Sequence, residues 1–415
     1  MTAPDLPESP DQKSVASRLL KPLPLAVLTL VVVFGAAELR APILSVAPLA
    51  HVIEHDLGIG SAVVGLLTSI PVLCFALCSP LAIWVIRRGG ADFAFTLSMT
   101  GIVVGTIVRS LGGLPLLMIG TAIIGAFVTI GNIVVPTLIA REYRGRRAHT
   151  MTGVFTSSMT FGTFAATIAT APAAGVFGWQ AALAVWLVFG AVALAVWLPL
   201  RGVRDALVPR GSAGAQDAGH RVPMVRRKTT WLMAAAFAGQ SFSFYAATAW
   251  LPSIVSDLGY NDSVAGVIAA IFQVCGIIGS FTTPLVVTRM SVRFVLILGG
   301  AFWLTVPIGF LLLPHAWIVW CVLGGLAQGA GLTVVFVLIN GFGGTEHVLA
   351  ERSGIVQGTG YAVAAAGPLL LGALHQASGA WALPEVVLIV ALLVFILSGL
   401  VASRLLTRGV EVETV

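Results

Sequence analysis

Glu38 and Arg40 stand two residues apart in the stretch from Phe34 to Pro48, which is otherwise apolar and also holds Pro42. In hydrocarbon an Arg at the centre of a helix costs roughly 2.5–3.5 kcal/mol even on a lenient insertion scale, so both charges need a compensating role. No other acid or base is expected at mid-span. A guanidinium presents a fixed fork of donors that matches a carboxylate or another small planar anion. The alternative for Arg40 is a structural one, paired with Glu38 or with helix carbonyls. Residues two apart do not share a helix face, and Pro42 loosens the local ladder, which lets the side chains reorient. Glu38 is a candidate proton-coupling group, because burial and a nearby cation pull its protonation in opposite senses. A permanent counter-ion is its alternative role.

Other polar residues sit singly in apolar surroundings. Asn132 lies in the run Gly131 to Pro136 and either binds a solute or bridges helices. The stretch from Gln240 to Tyr245, followed by Trp250, mixes amide, hydroxyl and aromatic groups, and Gln240 and Tyr245 are expected in the pocket. Gln357 and Tyr361 are four apart, share a helix face and are expected to line it as well. Gln273 and Gln328 are lone amides for which packing is expected, and His375 reads as a solvated or capping residue. The expected substrate-binding set is therefore Arg40, Asn132, Gln240, Tyr245, Gln357 and Tyr361, with Glu38 for proton coupling. No Gly-rich string carries the Lys-Ser/Thr of a phosphate cradle, and no His, Asp or Cys cluster has metal spacing. No cofactor or metal is expected. The absence of a nucleophile, base and orienter set argues against an enzyme.

The elements that position these residues are set by composition. Of 415 residues 58% are hydrophobic and only 10% charged, which excludes a soluble domain and indicates a polytopic, all-α membrane protein. Apolar runs predict twelve spans, at about 23–49, 61–86, 92–111, 114–140, 150–174, 179–200, 230–255, 263–288, 293–312, 316–340, 353–375 and 382–405. Of 23 Lys and Arg, 21 fall in the tails and alternate loops on one side, with only Arg40 and Arg109 elsewhere. The positive-inside rule makes that side cytoplasmic, so the protein is expected in the cytoplasmic (inner) membrane with both termini inside. This pattern also explains the net charge of +6 without nucleic acid as a partner. The loop bases Arg87, Arg88, Arg141, Arg144, Arg146 and Arg147 are further candidates for locking the closed bundle through Asp92 and Glu142. Cys74, Cys78, Cys275 and Cys321 all lie in spans and suggest no disulfide framework.

Residues 201–228 lack apolar periodicity and read as a linker between two six-helix bundles, 23–200 and 229–406, flanked by tails 1–22 and 407–415. The two halves echo each other. Asp56-Leu57-Gly58 recurs as Asp257-Leu258-Gly259, 201 residues on, and Gly65/Gly266 and Gly153/Gly354 keep that spacing. Gly178-Trp179 and Gly379-Ala-Trp381 follow with one residue of slippage. Such a parallel repeat is the pattern of the major facilitator fold, with its site near the midplane between the halves. The same spacing maps Glu38 to Gly239 and Arg40 to Ser241, so positive potential is expected from the first half and uncharged polar groups from the second.

These residues together resemble the cyanate and 2-nitroimidazole transporter family of the major facilitator superfamily. The resemblance rests on Leu39-Arg40-Ala-Pro42 through Pro48, Gly65 to Phe75, and Gly131-Asn132 to Pro136. It continues in Ser353-Gly354, Gln357-Gly-Thr-Gly-Tyr361, Gly367-Pro368, His375 and Trp381. It implies transport of small, often nitrogen-containing, planar or anionic solutes. Two features depart from the family pattern: Glu38 where Asn is common, and Asn340 to Phe342 where a base is common near the end of span ten. The expected function is secondary active transport of a small planar, cyanate-like anion by alternating access, coupled to protons and carried out in membrane lipid by a monomer. The alternatives are transport of neutral nitro-heterocycles, with Glu38 and Arg40 mutually paired, or a nutrient sensor that binds without transport.

Overall fold

The computed structural model describes residues 25–59, 61–210, 223–260 and 262–408. The expected N-terminal tail, linker residues 211–222 and residues 409–415 lie outside them. Every regular element among the described residues is a helix. The first part of the chain forms α1 (Leu25–Glu38), α2 (Ala41–Leu44), α3 (Ala50–Leu57), α4 (Ser61–Leu77), α5 (Ser79–Ser110) and α6 (Leu114–Glu142). It continues with α7 (Arg146–Phe177), α8 (Trp179–Ala184), α9 (Leu187–Arg201) and α10 (Val203–Leu207). The second part forms α11 (Lys228–Asp257), α12 (Asp262–Arg289), α13 (Val292–Leu312), α14 (Trp317–Gly341), α15 (Glu346–Ser378) and α16 (Ala382–Thr407).

Among the described residues, ten stretches are long and apolar enough to cross a membrane. Two further paths complete the twelve spans read from sequence. One is α4, which at 17 residues is short by itself; the other is α11, 30 residues long but interrupted by Gln240, Ser241, Ser243 and Tyr245. The boundary between spans two and three falls inside α5 at Gly90, whose φ of 79° is open to glycine and strained for other residues.

Two spans are broken where it matters for the site. The first leaves helical geometry after Glu38, and Pro42, which has no N–H to give, sits in the first turn of α2. The sixth breaks at Val185 and Trp186, so the first-turn N–H groups of α9 lack partners within their own helix.

The repeat read from sequence has a physical counterpart. Trp179 Nε1 donates to Asp56 at 2.7 Å, and Trp381 Nε1 donates to Asp257 at 2.7 Å. His375 stacks on Trp381 with ring centroids 3.8 Å apart and holds Nε2 3.8 Å from Asp257. Between the halves, Gly153 lies against Pro284 and Gly354 against Ile83, two contacts related by the same 201-residue spacing. Small residues let these backbones approach.

At the end carrying the basic loops, Asp92 accepts from Arg141 at 2.5 Å and forms an ion pair with Arg201 Nε at 3.1 Å, and Glu142 pairs with both arginines. All four residues belong to the first half, so this network ties that half together. Across the halves, Arg146 donates to Thr288 at 3.4 Å. From Thr152 to Thr160 all of α7 but Val154 is buried, and so is most of α15 from Arg352 to Tyr361. Beyond, only Thr170 is buried between Thr167 and Gly178, and only Ala364, Gly367 and Leu371 between Ala362 and Ser378. The halves therefore meet at the basic end and part toward the other.

Candidate functional site

The break in the first span sends Glu38 and Arg40 in different directions. Glu38 is fully buried, and its Oε2 accepts the Gly190 N–H at 3.1 Å, one of the amides left open at the start of α9. Gly190 is required there: a Cβ would lie 3.0 Å from Glu38 Cδ and Oε1. The cation whose field acts on Glu38 is Arg109, itself 1% exposed at the end of α5. Arg109 Nη1 donates to the Pro42 carbonyl at 2.5 Å and Nη2 to Ser45 Oγ at 3.4 Å, which ties it to the broken segment. Glu38 and Arg40 do not form an ion pair.

Arg40 turns instead toward the second half. Its Nη1 donates to the Tyr245 hydroxyl at 3.1 Å and its Nη2 to the Tyr361 hydroxyl at 2.9 Å. The guanidinium carbon lies 5.8 Å from the Phe75 ring centroid and 5.9 Å from that of Tyr361, within cation–π range. Among the described residues no carboxylate pairs with it.

Arg40 borders a cavity of about 70 Å³ between the halves. Its wall comes from Arg40 and Leu44, from Thr160 and Thr163 on α7, from Gln240, Ser241 and Tyr245 on α11, and from Gln273, Gln328 and Tyr361. Three pairs of these are related by the 201-residue spacing: Arg40 with Ser241, Leu44 with Tyr245, and Thr160 with Tyr361. The cavity is thus built around the repeat, with one guanidinium against a hydroxyl.

Of the residues expected to bind a solute, the structure brings Arg40, Gln240, Tyr245 and Tyr361 to this wall. Asn132 and Gln357 stand outside it, toward the basic end. Gln357 Nε2 donates to the Asn132 carbonyl at 2.9 Å and to Ser353 Oγ at 2.8 Å. The repeat places Thr333 and Thr156 in the equivalent relation, and their hydroxyls meet at 2.6 Å. These two pairs close the halves against each other below the cavity.

Three features escaped the sequence. Gln273 and Gln328, expected to pack, line the cavity, and Gln328 Nε2 occupies the space left by the absent side chain of Gly276. Arg109 looks like a base at the outer end of a span, yet it is buried beside the break; its signal was its position as the only other base off the basic side. Glu385, in the first turn of α16, is 1% exposed with Oε2 lacking a hydrogen-bond partner among the described residues. No group of three His, Cys, Asp or Glu suited to a metal occurs among the described residues.

The family model of the Major Facilitator Superfamily matches residues 27–344. The 2-nitroimidazole transporter of Escherichia coli is 31% identical over 374 residues, 89% of this chain and 93% of that protein. The cyanate transport protein CynX of Escherichia coli is 24% identical over 354 residues, 84% of this chain and 90% of that protein. Among solved structures, the proton:xylose symporter XylE bound to 6-bromo-6-deoxy-D-glucose superposes with a TM-score of 0.73 at 12% identity, covering 92% of this chain and 95% of that one.

Proposed function

The chain belongs to the Major Facilitator Superfamily and is a multi-pass membrane transporter, and from that premise we propose that it carries a small planar anion by secondary active, proton-coupled alternating access. One observation carries this reading: Arg40 faces the cavity held only by two neutral phenols, while Glu38 is engaged elsewhere with Gly190 and in the field of Arg109. Two cations and one carboxylate leave the first-half core with one positive charge, and that charge lies on the cavity wall. A neutral solute would leave it uncompensated in a low-dielectric site, whereas an anion with in-plane acceptors fits the guanidinium fork.

The relatives named for cyanate and 2-nitroimidazole support a substrate of this class. Cyanate is an anion outright, and a nitro group acidifies the ring N–H of an azole, so both reach Arg40 as planar anions. The two six-helix sets, 23–200 and 229–406, rock about the cavity, with the basic loops facing the cytoplasm of a bacterial inner membrane. Asn132 and Gln357 contribute by holding the cytoplasmic side closed, while Gln240, Tyr245 and Tyr361 contact the solute with Arg40.

Glu38 is the proton-coupling group in this reading. Its support is a buried carboxylate with one oxygen, Oε1, lacking a hydrogen-bond partner among the described residues, beside the hinge that presents Arg40. Uptake of labelled cyanate and 2-nitroimidazole into proteoliposomes, with and without an inward proton gradient, tests it. Wild type is expected to accumulate at least one of the two when the gradient is imposed, and Glu38→Gln to take up the solute with no response to the gradient. A gradient response that survives in Glu38→Gln removes the carboxylate from coupling, and binding without any uptake by wild type would favour a sensor.

A further inference from the structure

Two amides in the cavity wall have polar atoms with nothing to bind. Gln328 is 3% exposed and Gln273 7%, and both line the cavity. Gln328 Nε2 and Gln273 Oε1 find no hydrogen-bond partner among the described residues. A buried polar atom with no partner carries an uncompensated desolvation penalty, so two in one wall point to a ligand that completes them. Of the other polar groups in the wall, Gln240 Nε2 donates to the Gln328 carbonyl at 3.0 Å and Thr163 Oγ1 to the Met159 carbonyl at 3.3 Å, whereas Thr248 Oγ1 also finds no partner among the described residues.

The repeat sharpens this. At the 201-residue spacing Gln273 corresponds to Val72 and Gln328 to Phe127, neither of them in the cavity wall. The second half thus adds an amide pair where the first half has apolar side chains. Gly276 gives the Gln328 amide its room, since any Cβ there would collide with Nε2.

We propose that Gln273 and Gln328 form a second, uncharged pole of the site, reading the far edge of a planar solute whose anionic edge lies on Arg40. One pole then offers donors only, from the guanidinium. The other offers a donor, Gln328 Nε2, for the second ring nitrogen or a nitro oxygen of the deprotonated azole, and an acceptor, Gln273 Oε1, for its polarised ring C–H. Size agrees: a water-sized probe needs roughly 10–15 Å³ of such volume, so the cavity of about 70 Å³ holds about five water-sized groups. A three-atom linear anion fills a smaller part of that volume than a five-membered ring with a planar substituent does. The amide pair therefore sets specificity by solute length, and Arg40 sets it by charge.

This inference rests on the anion reading above, and the test separates the two. Binding of cyanate and of 2-nitroimidazole to the detergent-purified full-length chain would be measured by calorimetry for wild type, Gln273→Leu, Gln328→Leu, Gln328→Glu and Arg40→Gln, with melting temperature as the check on folding. Either leucine variant is expected to weaken 2-nitroimidazole roughly tenfold and to leave cyanate within twofold of wild type. Gln328→Glu, which keeps the shape and adds a repelling charge, is expected to weaken 2-nitroimidazole more than leucine does. Equal losses for both ligands, or no loss for either, in variants that melt like wild type would overturn the amide pole. Retained binding of both ligands by Arg40→Gln would instead overturn the anion reading on which it rests.

Discussion

The two halves of this protein put different chemistry on one scaffold. Glu38, Arg40 and Arg109 in the first half correspond by the repeat to Gly239, Ser241 and Phe310 in the second. Where the first half opens a space at Gly190 and fills it with the Glu38 carboxylate, the second closes it: a Cβ on Gly239 would collide with the carbonyl of Ala391, the counterpart of Gly190. The same helix pair holds a buried acid in one half and bare backbone contact in the other. Meanwhile Asp56 with Trp179 and Asp257 with Trp381 keep one hydrogen bond in both halves. Scaffold contacts survive the repeat, and the charges around the broken first span have no counterpart in the other copy.

That contrast can be broken most forcefully at Arg109. Arg109→Met removes two buried charge-assisted hydrogen bonds, to the Pro42 carbonyl and Ser45 Oγ, and with them a cation whose field reaches Glu38, and is expected to cost about 3–5 kcal/mol. Phe310→Leu at the equivalent site is expected to cost about 1 kcal/mol, within the range of a volume-conserving core exchange. Thermal unfolding in one detergent would compare them, and similar losses would show that charge in the first half carries no special burden. Gly190→Ala comes next, at about 1–3 kcal/mol, because the added methyl meets Glu38 and also Val103, 2.8 Å away. Its mirror, Ala391→Gly, adds no contact and should cost about 1 kcal/mol through helix propensity alone. The smallest effect sharpens the shared side of the comparison. Trp179→Phe and Trp381→Phe each lose one hydrogen bond to an aspartate and should lower stability by similar amounts, about 1 kcal/mol. A large inequality would mean that His375, stacked on Trp381 alone, adds support the first half lacks.

Much of this architecture was legible in the sequence, because membrane spans are announced by length and apolarity and the repeat by identical triplets at constant spacing. Arg40, Gln240, Tyr245 and Tyr361 could be placed together because polar groups deep in apolar runs are costly and the fold brings such segments to one midplane. What stayed hidden was partner choice. Glu38 and Arg40 look like a pair in one dimension, but the helix break after Glu38 separates them, and the true neighbours, Gly190 and Arg109, lie in other spans. Gln273 and Gln328 each looked like an isolated amide, since nothing local says whether a lone glutamine faces a neighbouring helix or a cavity. Gln357 illustrates the reverse, an amide whose polarity closes a helix contact outside the cavity wall by donating to the backbone carbonyl of Asn132.

The account turns on Arg40 as the charge that the solute must answer. Uptake of labelled cyanate into proteoliposomes by wild type and Arg40→Gln, reconstituted at equal density and with equal melting temperatures, tests it most directly. Loss of a buried, hydrogen-bonded charge partner costs roughly 2–5 kcal/mol, so uptake should fall by about thirtyfold or more. Uptake by Arg40→Gln within a few-fold of wild type would contradict the account.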